Sequence, residues 1–260
     1  MSTLTHTVTD SSIMLRRSLL HMRRYPVLTF MLIGMPVVFL LLFVFVLGGT
    51  LGAGLGGNRA DYLVYVMPGI LLMTIAAGAQ GTAITVAMDM TEGIVARFRT
   101  MAISRASVLT GHVAGSMIQT LLGMAVVVGL AVLIGFRPAA GPLQWFGAAA
   151  MLALITFALT WLSVALGMVT KSVEAASNLP MFLLLLPFLG SGFVPTASMP
   201  AALRWFAQYQ PFTPFIETIR ALLTGTPAGN SAIVSVVWCV LIGLGGYLWA
   251  RALYNRRSVH

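Results

Sequence analysis

The sequence predicts an all-α membrane protein. It has six transmembrane helices, an amphipathic interfacial helix before the first, short re-entrant helices before the last, and both termini cytoplasmic. Three observations carry this reading. Of 260 residues, 58% are apolar and only 8% are charged, against roughly 25% charged in an ordinary soluble domain. That leaves too little polar surface to coat a water-soluble globule and excludes most soluble enzymes and binding modules. The few charges leave six long windows free of any, and the basic residues fall unevenly between alternate loops. A mean hydropathy of +0.94 agrees.

The charge-free windows run 25–58, 62–88, 106–136, 138–170, 175–203 and 221–250. A crossing helix needs roughly 20 apolar residues, at about 1.5 Å rise each across a core about 30 Å thick. Each window holds one such helix and none holds two with a turn. The expected spans lie near 27–47, 63–87, 108–135, 144–169, 178–194 and 231–250. Residues 1–26 form a cytoplasmic tail with the amphipathic helix, and 27–260 the six-span membrane domain. The first 24 residues lack an apolar core and a small-residue cleavage site, so the first span is expected to stay in the mature protein.

Over 11–24, Met14, Leu15, Leu19 and Met22 share one helical face, and Arg16, Arg17, Arg23 and Arg24 the other. Such a helix lies in the interface with its arginines toward headgroups or a cytosolic partner. After the first span, Gly52-Ala53-Gly54-Leu55-Gly56-Gly57 matches G-x-G-x-x-G only formally. A nucleotide fingerprint needs a preceding strand and a later acidic residue, so a flexible loop is the expectation.

The segment 89–106 carries acids first (Asp89, Glu92) and bases after (Arg97, Arg99, Arg105), around an Ile94, Val95, Phe98 patch. It reads as a short helix across the membrane face, and an apolar patch with charged flanks favours docking of another protein over an ordinary solvated loop. In the third span Gly111 and Gly115 form a small-residue pair suited to close helix packing. Residues 195–230 are broken by Pro195, Pro200, Pro211, Pro214 and Pro227. Pro200–Tyr209 forms a short helix. Thr213 caps another with Pro214 at its first position and Gly225 as the stop. On that helix Phe215, Ile219 and Leu222 share a face, and Glu217 can pair with Arg220.

Counting Lys and Arg sets the orientation. Eleven fall on one side, in the N-terminal helix, the 89–105 loop, Lys171 and the C-terminal tail. Four fall on the other: Arg59, Arg137, Arg204 and Arg220. The basic side faces the cytoplasm. The net charge of +9 is thus read as topology rather than nucleic-acid binding.

Reactive constellations are missing. A single cysteine, Cys239, excludes an internal disulfide or a cysteine metal cluster. The histidines are His6, His21, His112 and His260, with none in mid-membrane. The cores carry no charge for ion coupling. No phosphate-binding loop exists, because the sole lysine, Lys171, follows Thr170. Active transport would need a partner to supply energy. A non-transporting membrane scaffold is the alternative, with an ion-coupled carrier behind it.

Two stretches carry a family resemblance. The first runs Asp89–Gly93 to Ile103-Ser104-Arg105. The second runs Gly192-Phe193-Val194-Pro195, Met199-Pro200, Pro211-Phe212-Thr213, then Ile216-Glu217 and Arg220. They are similar to motifs of the membrane permease of type-2 ABC exporters, in particular the daunorubicin-resistance branch, and the likeness covers nearly the whole chain. Ala102 stands where proline is usual, and Gln210 where asparagine is. The resemblance implies a bacterial plasma-membrane exporter of hydrophobic or amphipathic cargo, with two permease copies, a homodimer, each docking a soluble ABC ATPase subunit that holds ATP and Mg. It implies no cofactor in this chain and no nucleic acid. It makes Asp89, Glu92, Gly93, Arg97, Arg99 and Arg105 the ATPase-coupling loop, with the helix of Arg16, Arg17, Arg23 and Arg24 beside it. Pro195, Pro200, Pro211, Glu217 and Arg220 become the outer gate.

Overall fold

The computed structural model describes residues 26–91, 105–170 and 172–256, with side chains over 32–91, 110–170 and 172–254. The expected N-terminal amphipathic helix and most of the coupling loop lie outside them. Among the described residues all regular structure is helical.

Helix α1 (Pro26–Leu41) passes through a π-helical stretch, Leu42–Leu47, into α2 (Gly48–Gly54). The glycine-rich run expected as a loop is therefore helical to Gly54. The chain then reverses: Gly56 has φ 77°, and a Cβ on Gly52 would lie 2.5 Å from the Asn58 carbonyl oxygen. Only glycine permits that approach. The π-helical stretch carries Phe43, whose ring centroid is 4.4 Å from that of Phe193.

Helix α3 (Arg59–Thr91) is 33 residues long, about 50 Å. It extends past the expected 63–87 at both ends, and Asn58 caps its start. The Asn58 Oδ1 accepts from the Ala60 and Asp61 amides at 2.7 and 3.2 Å, while the Asn58 amide donates to Asp61 Oδ2 at 2.8 Å. This reciprocal arrangement satisfies donors that a helix start leaves orphaned. In α3, 83% of the most apolar window is buried, against 28% in the first span and 22% in the last. Helix α3 is therefore the axis around which the others pack.

Helix α4 (Arg105–Leu133) ends in a Schellman motif: Phe136 N donates to Ala131 O at 2.8 Å and Gly135 N to Val132 O at 3.2 Å, with Gly135 at φ 108°. Helix α5 is Pro142–Val169. Small residues bring backbones together. A Cβ on Gly167 would fall 2.5 Å from Ala83 O of α3, and one on Gly246 would fall 2.6 Å from Leu162 N of α5. The Gly246 contact joins α5 to α10 (Gly229–Arg256).

Five described helices are long and apolar enough to cross a membrane: Leu32–Gly54, Arg59–Thr91, Thr110–Leu133, Pro142–Val169 and Gly229–Tyr254. The segment expected as a continuous helix over 178–194 is instead α6 (Val173–Asn178), α7 (Met181–Leu185) and turns to residue 194. Pro180 and Pro187 are the reason: each removes an amide donor and crowds the preceding turn. The broken segment still runs antiparallel to α3. Gln80 reaches Ser177 O at 2.7 Å, Tyr65 reaches Ser191 O at 3.2 Å and Tyr62 reaches Phe193 O at 3.3 Å. Residues 62 to 80 of α3 rise about 27 Å, and residues 177–193 run beside that length.

A 3-10 turn, Thr196–Ser198, then leads to α8 (Ala201–Tyr209) and α9 (Phe212–Thr224). The expected stop is present: Gly225 has φ 74°, and Thr226 N returns to Ala221 O at 2.9 Å. The expected cap is not. Helix α9 begins at Phe212, and Thr213 is buried inside its first turn.

Candidate functional site

The candidate residues divide between the two ends of α3. At one end is Asp89, two residues before the helix stops, buried to 5% exposure. Its Oδ2 lies 3.0 Å from His112 Nε2 of α4. A carboxylate only accepts, so the imidazole carries its proton on Nε2. Asp89 was expected in the loop, but the structure places it within α3, against the neighbouring helix. Glu92, Gly93, Arg97 and Arg99 lie outside the described residues, as do Arg16, Arg17, Arg23 and Arg24. Arg105 opens α4, with its side chain outside the description.

At the other end Arg220 of α9 gathers three partners. Its Nη2 donates to Ser191 O at 2.5 Å, and Nη2 and Nε donate to Tyr65 O at 3.2 and 3.3 Å. The guanidinium carbon stands 3.9 Å from the Tyr65 ring centroid. The Tyr65 hydroxyl donates to Ser191 O as well. Thus α3 and α9 both grip the carbonyls of the turn at 191–193. A planar fork of fixed donors suits this task better than a point charge. A Cβ on Gly69 would fall 2.9 Å from Gly192 O, so the turn also rests on α3 backbone.

The expected Glu217–Arg220 pair is not formed. Glu217 Oε2 accepts from Ser231 Oγ of α10 at 3.2 Å, while Arg220 turns to Tyr65 and Ser191. The three prolines shape the chain rather than converge on Arg220. Pro195 precedes the 3-10 turn, and Pro200 and Pro211 stand immediately before α8 and α9. Arg204 ties this stretch together through Ala197 O at 2.6 Å and Met199 O at 3.0 Å.

Beside the grip, Ser191 Oγ, Gln210 Oε1 and Thr213 Oγ1 are buried without a hydrogen-bond partner. A Cβ on Gly190 would fall 2.5 Å from Gln210 Nε2 and 2.8 Å from Thr213 Oγ1, so the glycine lets these groups close up. Leaving a buried polar group unpaired costs about 1–3 kcal/mol. The arrangement therefore carries a penalty for these unpaired oxygens.

Sequence reasoning missed His112, Gln80, Tyr62, Tyr65 and Ser191 as partners. Tyr62 and Tyr65, three apart at one end of a span, were the available signal. The rest join residues up to 126 positions apart, which no local pattern reveals. No His, Cys, Asp and Glu cluster capable of holding a metal occurs among the described residues. What this site offers is a hydrogen-bonded grip on backbone.

The profile of the ABC-2 type transporter family matches residues 9–224. The chain is 28% identical over 262 residues, 100% of this chain and 88% of the relative, to "Daunorubicin resistance ABC transporter permease protein DrrB1" of Streptomyces coeruleorubidus. It is 25% identical over 232 residues, covering 87% and 81%, to "Probable doxorubicin resistance ABC transporter permease protein DrrC" of Mycobacterium tuberculosis. With its long apolar helices packed about α3, the chain belongs to the ABC-2 type transporter family, as a multi-pass membrane permease.

Proposed function

We propose that this chain is the membrane subunit of an ATP-driven exporter of hydrophobic or amphipathic, drug-like molecules. Two copies pair, and each docks an ABC ATPase subunit that holds ATP and Mg. The segment around 89–105 receives the motor, with the basic helix of residues 11–24 beside it. The names of the relatives support the cargo class, and the apolar, uncharged span cores suit cargo that enters from lipid.

One observation carries the mechanism. A single buried helix, α3, runs from Asp89 beside the loop to Tyr62 and Tyr65, which hold the turn at 191–193. A tilt of α3 at the loop moves the grip at its far end. The orphaned oxygens of Ser191, Gln210 and Thr213 lower the cost of letting that turn go. The cargo then leaves between the two permeases, past the Pro195–Arg220 segment as outer gate.

The broken segment 177–193 serves as a sixth crossing. Its freed carbonyls are met by Gln80, Tyr62, Tyr65, Gln210 and Arg220, which is the condition for irregular backbone at membrane depth. Six crossings put both termini in the cytoplasm of a bacterial inner membrane, in keeping with the arginine distribution.

The test is co-reconstitution with the partner ATPase in liposomes, with daunorubicin fluorescence as the readout. The expected result is uptake into inside-out vesicles that needs both subunits and Mg-ATP. Equal flux without ATP, or without this chain, overturns the proposal.

A further inference from the structure

The Asp89–His112 pair spans the two helices that flank the 92–104 segment. Asp89 lies two residues before the end of α3, and His112 lies seven residues into α4, about 10 Å along that helix. Their contact is 3.0 Å, with Asp89 buried and the His112 side chain 14% exposed. A surface ion pair contributes little, whereas breaking a buried, hydrogen-bonded pair between two helices is costly. Lower down, α3 and α4 meet again where Gly78 lies against the Thr120 side chain, so closely that a Cβ would collide. The two helices are therefore fixed together at two heights, and the upper fixation is polar and directional.

A loop that receives force through two helices can respond in two ways. If the helices splay, the displacement is absorbed where they part. If they are tied, both move as one body. We propose that Asp89 and His112 are positioning residues of the transport cycle: their hydrogen-bonded pair clamps the ends of α3 and α4, so that motion imposed on the 92–104 segment reaches α3 undiminished. This rests on the exporter reading above. It assigns Asp89 to an internal clamp with His112, rather than to a contact with the ATPase surface.

The experiment measures cargo moved per ATP hydrolysed by the reconstituted complex, for the native chain, Asp89→Asn, His112→Gln and the exchanged double variant Asp89→His/His112→Asp. The single variants are expected to co-purify with the ATPase and to hydrolyse ATP within about twofold of native, while transport per ATP falls at least about fivefold. The exchanged pair is expected to regain at least half of the native ratio, because it restores the same bond between the same helices. A merely structural role would lower complex yield and hydrolysis together and leave the ratio unchanged.

Single variants with a native ratio overturn the clamp. So does an exchanged pair that assembles normally yet couples as poorly as the single variants. A native chain that moves no cargo with ATP refutes the exporter reading itself, which separates the two failures. Variants that fail to assemble with the ATPase, or that lose yield and hydrolysis together, also overturn the clamp, because the pair is then structural.

Discussion

Arg220 lies over the ring of Tyr65, 3.9 Å from its centroid, and donates to the carbonyl of the same residue at 3.2 Å. The two are 155 positions apart, and they join α9 to the central helix at the point where both hold Ser191 O. A charged side chain sunk in an apolar bundle is costly unless its donors are met. Here carbonyls and a π face meet them.

Arg220→Lys keeps the charge but loses the fork. One ammonium does not reproduce two donors to Tyr65 O, one to Ser191 O and a stacked plane. Loss of these bonds is expected to cost about 2–4 kcal/mol at the grip. Transport per ATP should fall at least about tenfold while the chain still inserts and assembles. Fluorescence transport assays on reconstituted vesicles read this out, and Arg220→Gln should be no better than Arg220→Lys.

Gly246 and Gly245 form a matched pair of substitutions. A Cβ on Gly246 meets Leu162 N at 2.6 Å, with the Trp161 carbonyl carbon at 2.7 Å, whereas one on Gly245 meets nothing within 4 Å. Gly246→Ala is expected to destabilise by about 1–3 kcal/mol through overpacking against backbone. Gly245→Ala should be neutral or slightly stabilising, because alanine favours a helix interior. Thermal unfolding of the purified chain in detergent, followed by helical circular dichroism, compares them.

Gln80→Leu removes the donor that meets Ser177 O at 2.7 Å. That carbonyl belongs to a segment too broken to satisfy its own backbone, so a loss of about 1–3 kcal/mol is expected. Gln80→Glu should be at least as damaging, since a carboxylate offers no donor. Limited proteolysis between α5 and α8 should speed up in both variants, while cleavage elsewhere stays at its native rate.

How much was legible in the sequence follows the range of the interaction. Gly225 as a stop, Pro200–Tyr209 as a helix, and the buried Phe215 and Ile219 were readable because each rests on neighbours a few residues away. The loss of a continuous helix over 178–194 was also written locally, in Pro180 and Pro187, but hydropathy alone outvoted it. Thr213-Pro214 looks like a cap by composition. Burial of Phe212, Pro214 and Phe215 draws the start of α9 two residues earlier and strands the hydroxyl.

Gln210 shows the limit from the other side. It was noted only as a departure from asparagine. In the structure its amide reaches Leu186 O at 2.9 Å and meets a carbonyl of the broken segment. The grip of Arg220 and the partner of Asp89 were beyond sequence reasoning, because they are made between helices.

The most direct test of the central claim is the accessibility of residue 191. Ser191 is 3% exposed and its hydroxyl has no partner, so Ser191→Cys is a mild change at the gripped turn. In vesicles holding this variant with its ATPase, a membrane-impermeant maleimide added from the periplasmic side should label position 191 slowly without nucleotide and at least about fivefold faster with Mg-ATP. Labelling that ignores Mg-ATP, or that comes from the ATPase side, would contradict the account.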